Sequence, residues 1–361
     1  MTRLFTGTAL ALSLGAPAFA QEVVHVYNWS DYIAEDTIRR FTEETGIQVV
    51  YDVYDSNDVL EARLLAGSSG YDVVVPTSSY LARQVPAGVY MPLDRSKIPN
   101  AEGLDPDLME AVSAHDPGNE HSVIYMWGTN GIGYNVEMVR ERLGDDAPTD
   151  SWALLFDPEV TAKLADCGIS YLDSATEMIP VALQYLGLDP TSTAEEDLAQ
   201  VSELFEAVRP HIRYFHSSQY ISDLANGEIC VAAGWSGDVL IAMDRAEQAG
   251  TGAEIAYTVP KEGSIEWFDL MAIPADAPNP DNAHAFINFI LRPDVIADVT
   301  NYVFYPNAVP ASLEHVDAEI KEDPSIYPPA EVMENLFPSP VYAARDDRVL
   351  TRIWTRMRTG R

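Results

Sequence analysis

Basic residues are scarce in this sequence. Its 361 residues include 22 Lys and Arg but 56 Asp and Glu, which gives a formal net charge of −34 at pH 7. A protein with this field repels nucleic acids and anionic membrane surfaces, so neither is expected as a partner, whereas small cations are attracted. Acidity also serves solubility or a saline habitat, and composition alone does not separate these explanations.

Long apolar segments are absent after residue 20. A membrane-spanning helix needs about 20 consecutive apolar residues, and nothing in residues 21–361 approaches that length. Residues 1–20 combine Arg3, a short apolar run and the small-x-small sequence AFA at 18–20, which is typical of a secretory signal peptide. A membrane anchor is the alternative, but the apolar run is too short to span a bilayer. We therefore expect export and a mature chain that begins at Gln21.

Cysteine and the common catalytic motifs are rare or missing. The chain has two cysteines, Cys167 and Cys230. Thiols of an exported protein commonly pair, so a structural disulfide between them is expected. Two distant cysteines offer too few ligands for a metal site. The motifs HExxH, GxSxG and GxGxxG and the P-loop do not occur, and we predict no catalytic residue, cofactor or metal.

Strand and helix patterns alternate in the residues that follow the leader. VVHVY at 23–27, IQVVYDVY at 47–54 and YDVVVP at 71–76 are typical of strands, and segments 33–44 and 57–66 are typical of helices. This order predicts a wound, parallel α/β sheet with right-handed crossovers. The length of the mature chain suggests about two domains.

A Trp followed closely by an Asp occurs three times, at or near predicted strand ends: WSD at 29–31, WSGD at 235–238 and WFD at 267–269. In wound sheets, ligands bind beyond the carboxyl ends of the strands. YLDSATE at 171–177 and YFHSSQY at 214–220 add carboxylates, hydroxyls and aromatic rings, and none of these five segments contains Lys or Arg. Core packing and capping explain any single pair, but three pairs at strand ends favour a ligand site.

Aromatic rings and carboxylates without basic residues predict a pocket for an organic cation. An ammonium over an indole face gains about 0.5–2 kcal/mol. That gain does not offset the several kcal/mol needed to desolvate a charge, so a carboxylate must pair with the ammonium as well. Carboxylates in separate segments fit a molecule with a positive charge at each end, and flat aromatic walls suit a polymethylene chain. An amino acid ligand would call for an Arg to bind its carboxylate.

Several longer segments carry a family resemblance: YNWSDY, YDVYDSNDVLEARLLAGSSGYDVVVP, YMWGTNGIGYN, RYFHSSQYISDLANGEICVAAGWSGDV and VFYPNA. Across 22–361 the sequence resembles the periplasmic polyamine-binding proteins of bacterial ABC importers, and most of all their putrescine-receptor branch. The resemblance implies the type II periplasmic binding protein fold, in which two wound α/β lobes enclose a ligand cleft and close on the ligand.

The resemblance also implies lobe boundaries and hinges. Lobe 1 would comprise 21–132 plus about 257–303, and lobe 2 would comprise 133–256 plus about 304–361. Hinges are expected near Gly131–Tyr134 and Thr258–Glu262. We expect a monomer that works with an inner-membrane ABC permease in the periplasm.

Residue roles follow from the same resemblance. The carboxylates that would bind the ligand ammonium groups are Asp31, Asp238, Asp269 and Glu177, the last from lobe 2. The rings that would form an aromatic box are Trp29, Tyr32, Trp235, Trp267 and Tyr305. The hydroxyls that would donate or accept hydrogen bonds are Ser30, Thr77, Ser79 and Ser217. Thr77 stands where the putrescine branch has Ser, which keeps the hydroxyl.

The choice among polyamines rests on mixed signals. Trp267 resembles the spermidine branch, since the putrescine branch has Phe there. Ser79 is small where the spermidine branch has Tyr, and Ser174 is uncharged where that branch has Asp. We expect putrescine, and spermidine, agmatine and cadaverine remain open alternatives.

Two other classes of function compete with a polyamine receptor. An exported hydrolase such as a glycosidase would use two of these acids as acid and base in a Trp-rich cleft. A choline or betaine receptor would surround a single charge with aromatic rings and would need fewer acids. The expected function is a binding protein and not an enzyme.

Overall fold

The computed structural model describes residues 22–360, so the predicted signal peptide of residues 1–20 lies outside the described residues. The strands are β1 (Val23–Trp29), β2 (Gln48–Tyr54), β3 (Val73–Val74), β4 (Ser122–Asn135), β5 (Ile169–Tyr171), β6 (Tyr214–Phe215), β7 (Val231–Trp235), β8 (Ile255–Thr258), β9 (Ser264–Ala272) and β10 (Leu336–Pro338). The helices of the first half of the chain are α1 (Thr37–Thr45), α2 (Asn57–Leu65), α3 (Ser78–Gln84), α4 (Pro106–Ser113), α5 (Val136–Leu143), α6 (Ala153–Phe156), α7 (Pro158–Leu164) and α8 (Ala175–Tyr185). Those of the second half are α9 (Glu195–Val208), α10 (Gln219–Ala225), α11 (Ser236–Ala249), α12 (Pro280–Ile290), α13 (Pro293–Val303), α14 (Ala318–Lys321), α15 (Ala330–Met333) and α16 (Ala344–Thr359).

The predicted βαβαβ start is confirmed. β1 pairs in parallel with β2 along its whole length and with β3 on its other side. Helix α2 begins after Ser56, whose side chain accepts a hydrogen bond from the backbone N–H of Val59. Helix α1 begins at Thr37, four residues later than predicted, because residues 30–36 form turns instead of a first helical turn. It ends at Gly46, whose φ of +77° suits glycine.

The strands form one mixed sheet in the order β2-β1-β3-β9-β4-β7-β5-β6, with β10 added beside β9 and β8 beside β4. Strand β9 is antiparallel to both β3 and β4, and β4 is antiparallel to β7. The wound parallel pattern therefore lies at the two ends of the sheet, and the short β10 adds one parallel pair beside β9. Buried apolar side chains line both faces of the inner strands.

Strand β4 joins the two halves of the molecule. Its residues 122–129 pair with β9, whereas residues 130–135 pair with β7 and β8. We call lobe 1 the half that contains β2, β1, β3, β9 and the first part of β4, with α1–α3, α12 and α13 packed on it. Lobe 2 contains the second part of β4 with β7, β5, β6 and β8, and α5–α11 and α16 pack there. The residue boundaries given above stay a prediction.

The predicted disulfide is confirmed in lobe 2. Cys167 and Cys230 are bonded, with their Cα atoms 5.5 Å apart. They lie just before β5 and β7, which are parallel neighbours, so the bond joins the starts of two strands.

No helix within residues 22–360 is both long enough and apolar enough to cross a bilayer.

Candidate ligand-binding site

A cavity of about 680 Å³, counted with its mouth, lies between the two lobes. Twelve of the thirteen predicted ligand-binding residues line it: Trp29, Ser30, Tyr32, Thr77, Ser79, Glu177, Ser217, Trp235, Asp238, Trp267, Asp269 and Tyr305. The exception is Asp31. The structure therefore brings together side chains that are spread over more than 270 positions of the sequence, and their roles in binding stay a prediction.

The aromatic rings reach the cavity from strand ends and from one strand face. Trp29 ends β1 and Trp235 ends β7, and their rings lie 5.7 Å apart in an edge-to-face arrangement across the cleft. Trp267 and Asp269 are two residues apart on β9 and so point to the same face of the sheet. The Tyr305 ring packs against Trp267 at 5.2 Å and against Tyr32 at 5.3 Å. These rings form an almost continuous apolar wall.

Two of the acids sit in the first turns of helices. Glu177 lies in the first turn of α8, and Asp238 lies in the first turn of α11. The helix macrodipole favours negative charge at these positions. The segment EICVAAGWSGD at 228–238 is typical of a strand that runs into a loop, but in the structure α11 starts immediately at Ser236.

Asp238 is held by two tyrosines. The hydroxyls of Tyr220 and Tyr305 each donate a hydrogen bond of 2.8 Å to its carboxylate. Tyr305 approaches this closely because residue 237 is glycine: a Cβ there would lie 2.5 Å from the Tyr305 ring. Burial raises the pKa of Asp238 to about 7, although both tyrosine hydroxyls oppose the rise by stabilising the ionised form.

Asp269 is buried on β9, with 5% of its surface exposed. The Thr77 hydroxyl donates a hydrogen bond of 2.7 Å to it from the start of α3. Burial raises the pKa of Asp269 to about 7, and the nearby carboxylates of Glu177 and Asp238 add to the rise. Asp269 is therefore harder to ionise than an exposed aspartate.

Glu177 is a further acid of the cavity lining, which also includes Asp55. The Glu177 carboxylate accepts hydrogen bonds from the indole N–H of Trp235 at 2.6 Å and from the Asn130 amide at 3.4 Å. Burial raises its pKa as well, and these hydrogen bonds only partly offset the rise. Three carboxyl groups thus face one cavity with raised pKa values.

No basic side chain balances these acids among the described residues that line the cavity. Buried carboxylates are ordinarily paired, since an unpaired charge in a low-dielectric site is costly. The missing positive charge has to come from solution, as a proton or as a bound cation. The chemistry of this lining therefore suits a cation with apolar parts.

Asp31 does not face the cavity. Its carboxylate pairs with the guanidinium of Arg245 on α11 at 2.8 Å, and both side chains are more than a third exposed. Sequence reasoning missed this arginine because it lies seven residues beyond the WSGD segment.

Sequence reasoning also left some lining residues unassigned: Tyr54, Asp55, Asn57, Tyr80, Thr176, Ser218, Ile221 and Ser339. Asp55, Asn57 and Tyr80 belong to the segments DSND (55–58) and PTSSY (76–80), which the strand-end rule places along the same edge of the sheet as Trp29, although it gives these three residues no role. Ser339 comes from the C-terminal segment after β10, where no motif points to a site.

Comparison with known proteins identifies relatives of the chain. The family model of bacterial extracellular solute-binding proteins matches residues 36–328. The putrescine-binding periplasmic protein of Escherichia coli strain K12 is 51% identical over 362 residues, which cover 100% of this chain and 98% of that protein. The putrescine-binding periplasmic protein of Pseudomonas aeruginosa strain UCBPP-PA14 is 52% identical over 367 residues and covers 100% of both chains.

A solved structure agrees with this result. The spermidine/putrescine ABC transporter substrate-binding protein of Streptococcus pneumoniae superposes with a TM-score of 0.75 at 29% identity, covering 94% of this chain and 99% of that one. The predicted fold, two wound α/β lobes of the type II periplasmic binding protein class, is thereby confirmed. The chain belongs to the bacterial extracellular solute-binding protein family.

Proposed function

We propose that this protein is a periplasmic receptor that captures a polyamine, putrescine above all, and delivers it to an ABC permease of the inner membrane. The observation that carries the proposal is the set of three carboxyl groups with raised pKa values, Glu177, Asp238 and Asp269, in an aromatic cavity. No basic residue lies in the described lining of that cavity.

A diamine fits each feature of the cavity. Each ammonium group carries three N–H donors and one positive charge, which pair with ionised carboxylates. The methylene chain between the two ends packs against the rings of Trp29, Trp235 and Trp267, and its burial contributes about 25 cal/mol per Å². A choline-like ligand carries one charge only, so it would leave more of these carboxylates unpaired than a diamine does.

Among the polyamines, the relatives support putrescine as the ligand. The two proteins that are 51% and 52% identical are named for putrescine binding, and a Pseudomonas aeruginosa protein that is 46% identical is a putrescine/agmatine-binding protein. The Escherichia coli spermidine/putrescine-binding protein is only 34% identical. Trp267 remains the residue that argues for a different chain length, because it fills space that a Phe would leave open.

Capture is proposed to proceed by closure of the two lobes. Lobe 1 comprises 21–132 and about 257–303, lobe 2 comprises 133–256 and about 304–361, and the hinges lie near 131–134 and 258–262. The contact of Trp29 in lobe 1 with Trp235 in lobe 2 supports a closed form of this kind. X-ray scattering with and without saturating putrescine tests the step, and equal radii of gyration would contradict it.

The setting follows from the family and from the leader sequence. Residues 1–20 act as a signal peptide, the mature protein is a periplasmic monomer, and the acids bind ligand instead of catalysing a reaction. The names of the relatives support binding, since none of those reported above is an enzyme.

Titration calorimetry on ligand-stripped mature protein tests the proposal. Putrescine, cadaverine, agmatine, spermidine and choline are titrated in turn, and turnover is assayed on a panel of glycosides. One-to-one binding that is tightest for putrescine, without glycoside turnover, is the expected result. Absence of heat with every polyamine would reject the receptor, and glycoside turnover would favour the hydrolase.

A further inference from the structure

The segment from Trp29 to Tyr32 divides its side chains between two places. Trp29, Ser30 and Tyr32 line the cavity, whereas Asp31 turns outward to Arg245. Asp31 has a φ of +54°, in the left-handed region that Asp and Asn tolerate better than most residues. The backbone N–H of Ser30 donates to the Tyr54 carbonyl at 2.9 Å, which anchors the turn to β2. The outward direction of Asp31 is therefore fixed by the backbone.

Arg245 is placed by the helix that carries a ligand acid. It follows Asp238 by seven residues on α11, which is close to two helical turns, so both side chains leave the same face of the helix about 10 Å apart. That face looks across the cleft toward lobe 1. Asp238 meets the cavity, and Arg245 meets Asp31 at its rim.

We infer that Asp31 and Arg245 form a closure latch, a positioning pair that stabilises the closed form of the receptor without touching the ligand. The inference rests on the proposed closure of the two lobes. Each partner belongs to a different lobe, so opening of the cleft separates them, and closing restores the ion pair. Asp31 is thereby assigned a role different from the ammonium ligand that the sequence predicts.

A second ion pair between elements of the two lobes behaves differently. Arg83 on α3 reaches Asp347 on α16 at 3.3 Å, but it also holds Glu61 at 2.6 Å within its own lobe. Opening leaves Arg83 paired with Glu61, so this contact contributes little to the closed form. Asp31 has no such alternative, because Arg245 is its only basic partner among residues 22–360.

The exposure of the latch sets the size of its effect. With 40% and 37% of the two side chains exposed, removal of the pair is expected to weaken ligand binding by about 1.5- to 5-fold. Loss of a buried carboxylate that contacts an ammonium ligand instead costs about 30-fold or more. The size of the loss in ligand affinity therefore shows whether Asp31 acts as a latch residue or as a ligand of an ammonium group.

The direction in which Arg245→Gln changes the affinity for putrescine separates a latch from a simple charge effect. Removing a positive charge near the cleft strengthens the attraction for a dication, so Arg245→Gln without a latch would bind putrescine more tightly. A latch predicts weaker binding. Arg142→Gln is the matched control, because it removes the same charge from a pair with Asp166 inside lobe 2.

Calorimetry with putrescine on wild type, Asp31→Asn, Arg245→Gln and the double variant tests the inference. Asn keeps the left-handed turn at position 31. The affinity of each single variant for putrescine is expected to fall 1.5- to 5-fold. The double variant should lose no more affinity than the single variant that binds more weakly, and Arg142→Gln should keep the affinity of wild type. Tighter or unchanged binding by Arg245→Gln, or a loss above 30-fold in Asp31→Asn, would overturn the latch.

A second measurement needs no ligand. Spin labels at Glu43→Cys on α1 and Glu203→Cys on α9 report the distance between the lobes, since the native cysteines are held in the disulfide. At pH 5.5, below the raised pKa of about 7 of Asp238 and Asp269, Arg245→Gln is expected to reduce the population of molecules with a short distance between the labels. An unchanged population would contradict the latch. If wild type bound no polyamine, the proposed function would fail while this test still stood.

Discussion

Replacement of Asp269 by Asn is the most informative single change to the cavity. Asn has nearly the same shape as Asp, and its carbonyl oxygen can still accept the hydrogen bond that Thr77 donates. The substitution therefore removes a charge from a site with 5% exposure and leaves its packing in place. Two opposite effects follow, one on the liganded protein and one on the empty protein.

The liganded protein loses a charge pair. Truncation of one partner of a buried, hydrogen-bonded pair costs about 2–5 kcal/mol, so the Kd for putrescine is expected to rise at least about 30-fold. The closed form without ligand becomes more stable instead. Burial raises the Asp269 pKa from 3.8 to about 7, and at about 1.4 kcal/mol per pKa unit the ionised acid disfavours empty closure by at most roughly 4 kcal/mol. Asn removes that cost.

The assays are calorimetry for the Kd and spin-label distances between the lobes for the closed fraction without ligand. Asp107→Asn on α4 is the control, because it removes the same charge from an exposed residue outside the cavity lining. We expect weaker binding together with a larger empty closed fraction in Asp269→Asn alone. Binding within fivefold of wild type, with an unchanged distance distribution, would show that the carboxylate serves neither ligand nor closure.

The remaining predictions concern pH, packing and the disulfide. Asp238 and Asp269 have an ordinary pKa of 3.8 when exposed and a pKa of about 7 in the closed form. Closure without ligand therefore takes up protons, and the closed fraction of the ligand-free protein should fall as the pH rises from 4 to 7. A closed fraction that rises with pH in spin-label data would contradict this. Gly237→Ala should displace the Tyr305 ring from Asp238 and weaken putrescine binding about tenfold or more, with an unchanged circular dichroism spectrum. Cys167→Ser with Cys230→Ser opens a link across 63 residues and should cost about 4 kcal/mol in chemical unfolding; a loss under 1 kcal/mol would contradict this.

The three Trp–Asp segments show how far sequence reasoning reached. It placed them at or near strand ends and predicted a shared site, and all three tryptophans line the cavity. The strand-end placement is wrong for Trp267, which lies inside β9. The aspartates differ because the local backbone differs. Asp269 shares a strand face with Trp267, Asp238 opens a helix after Trp235, and Asp31 follows Trp29 in a left-handed turn that directs it away. The spacing in sequence does not encode these three directions.

Strand β4 was missed for a related reason. Its sequence YMWGTNGIGYN contains Gly128, Gly131 and Gly133, which normally indicate turns. In the structure each glycine makes room for a neighbour instead: a Cβ would lie 2.7 Å from the Trp267 ring, 2.4 Å from the Thr258 carbonyl and 2.6 Å from Val239. Close approach between distant segments is a tertiary requirement, and local patterns do not reveal it.

The balance between the latch and the cavity acids explains why ligand would decide closure. An exposed ion pair such as Asp31–Arg245 contributes at most about 1 kcal/mol. Ionised Asp238 and Asp269, each with a pKa raised by about three units, oppose empty closure by several kcal/mol at most. The latch alone is too weak to close an empty, ionised cleft. A diammonium ligand removes the larger opposing contribution, and the latch then adds to a closed form that the ligand has already made favourable.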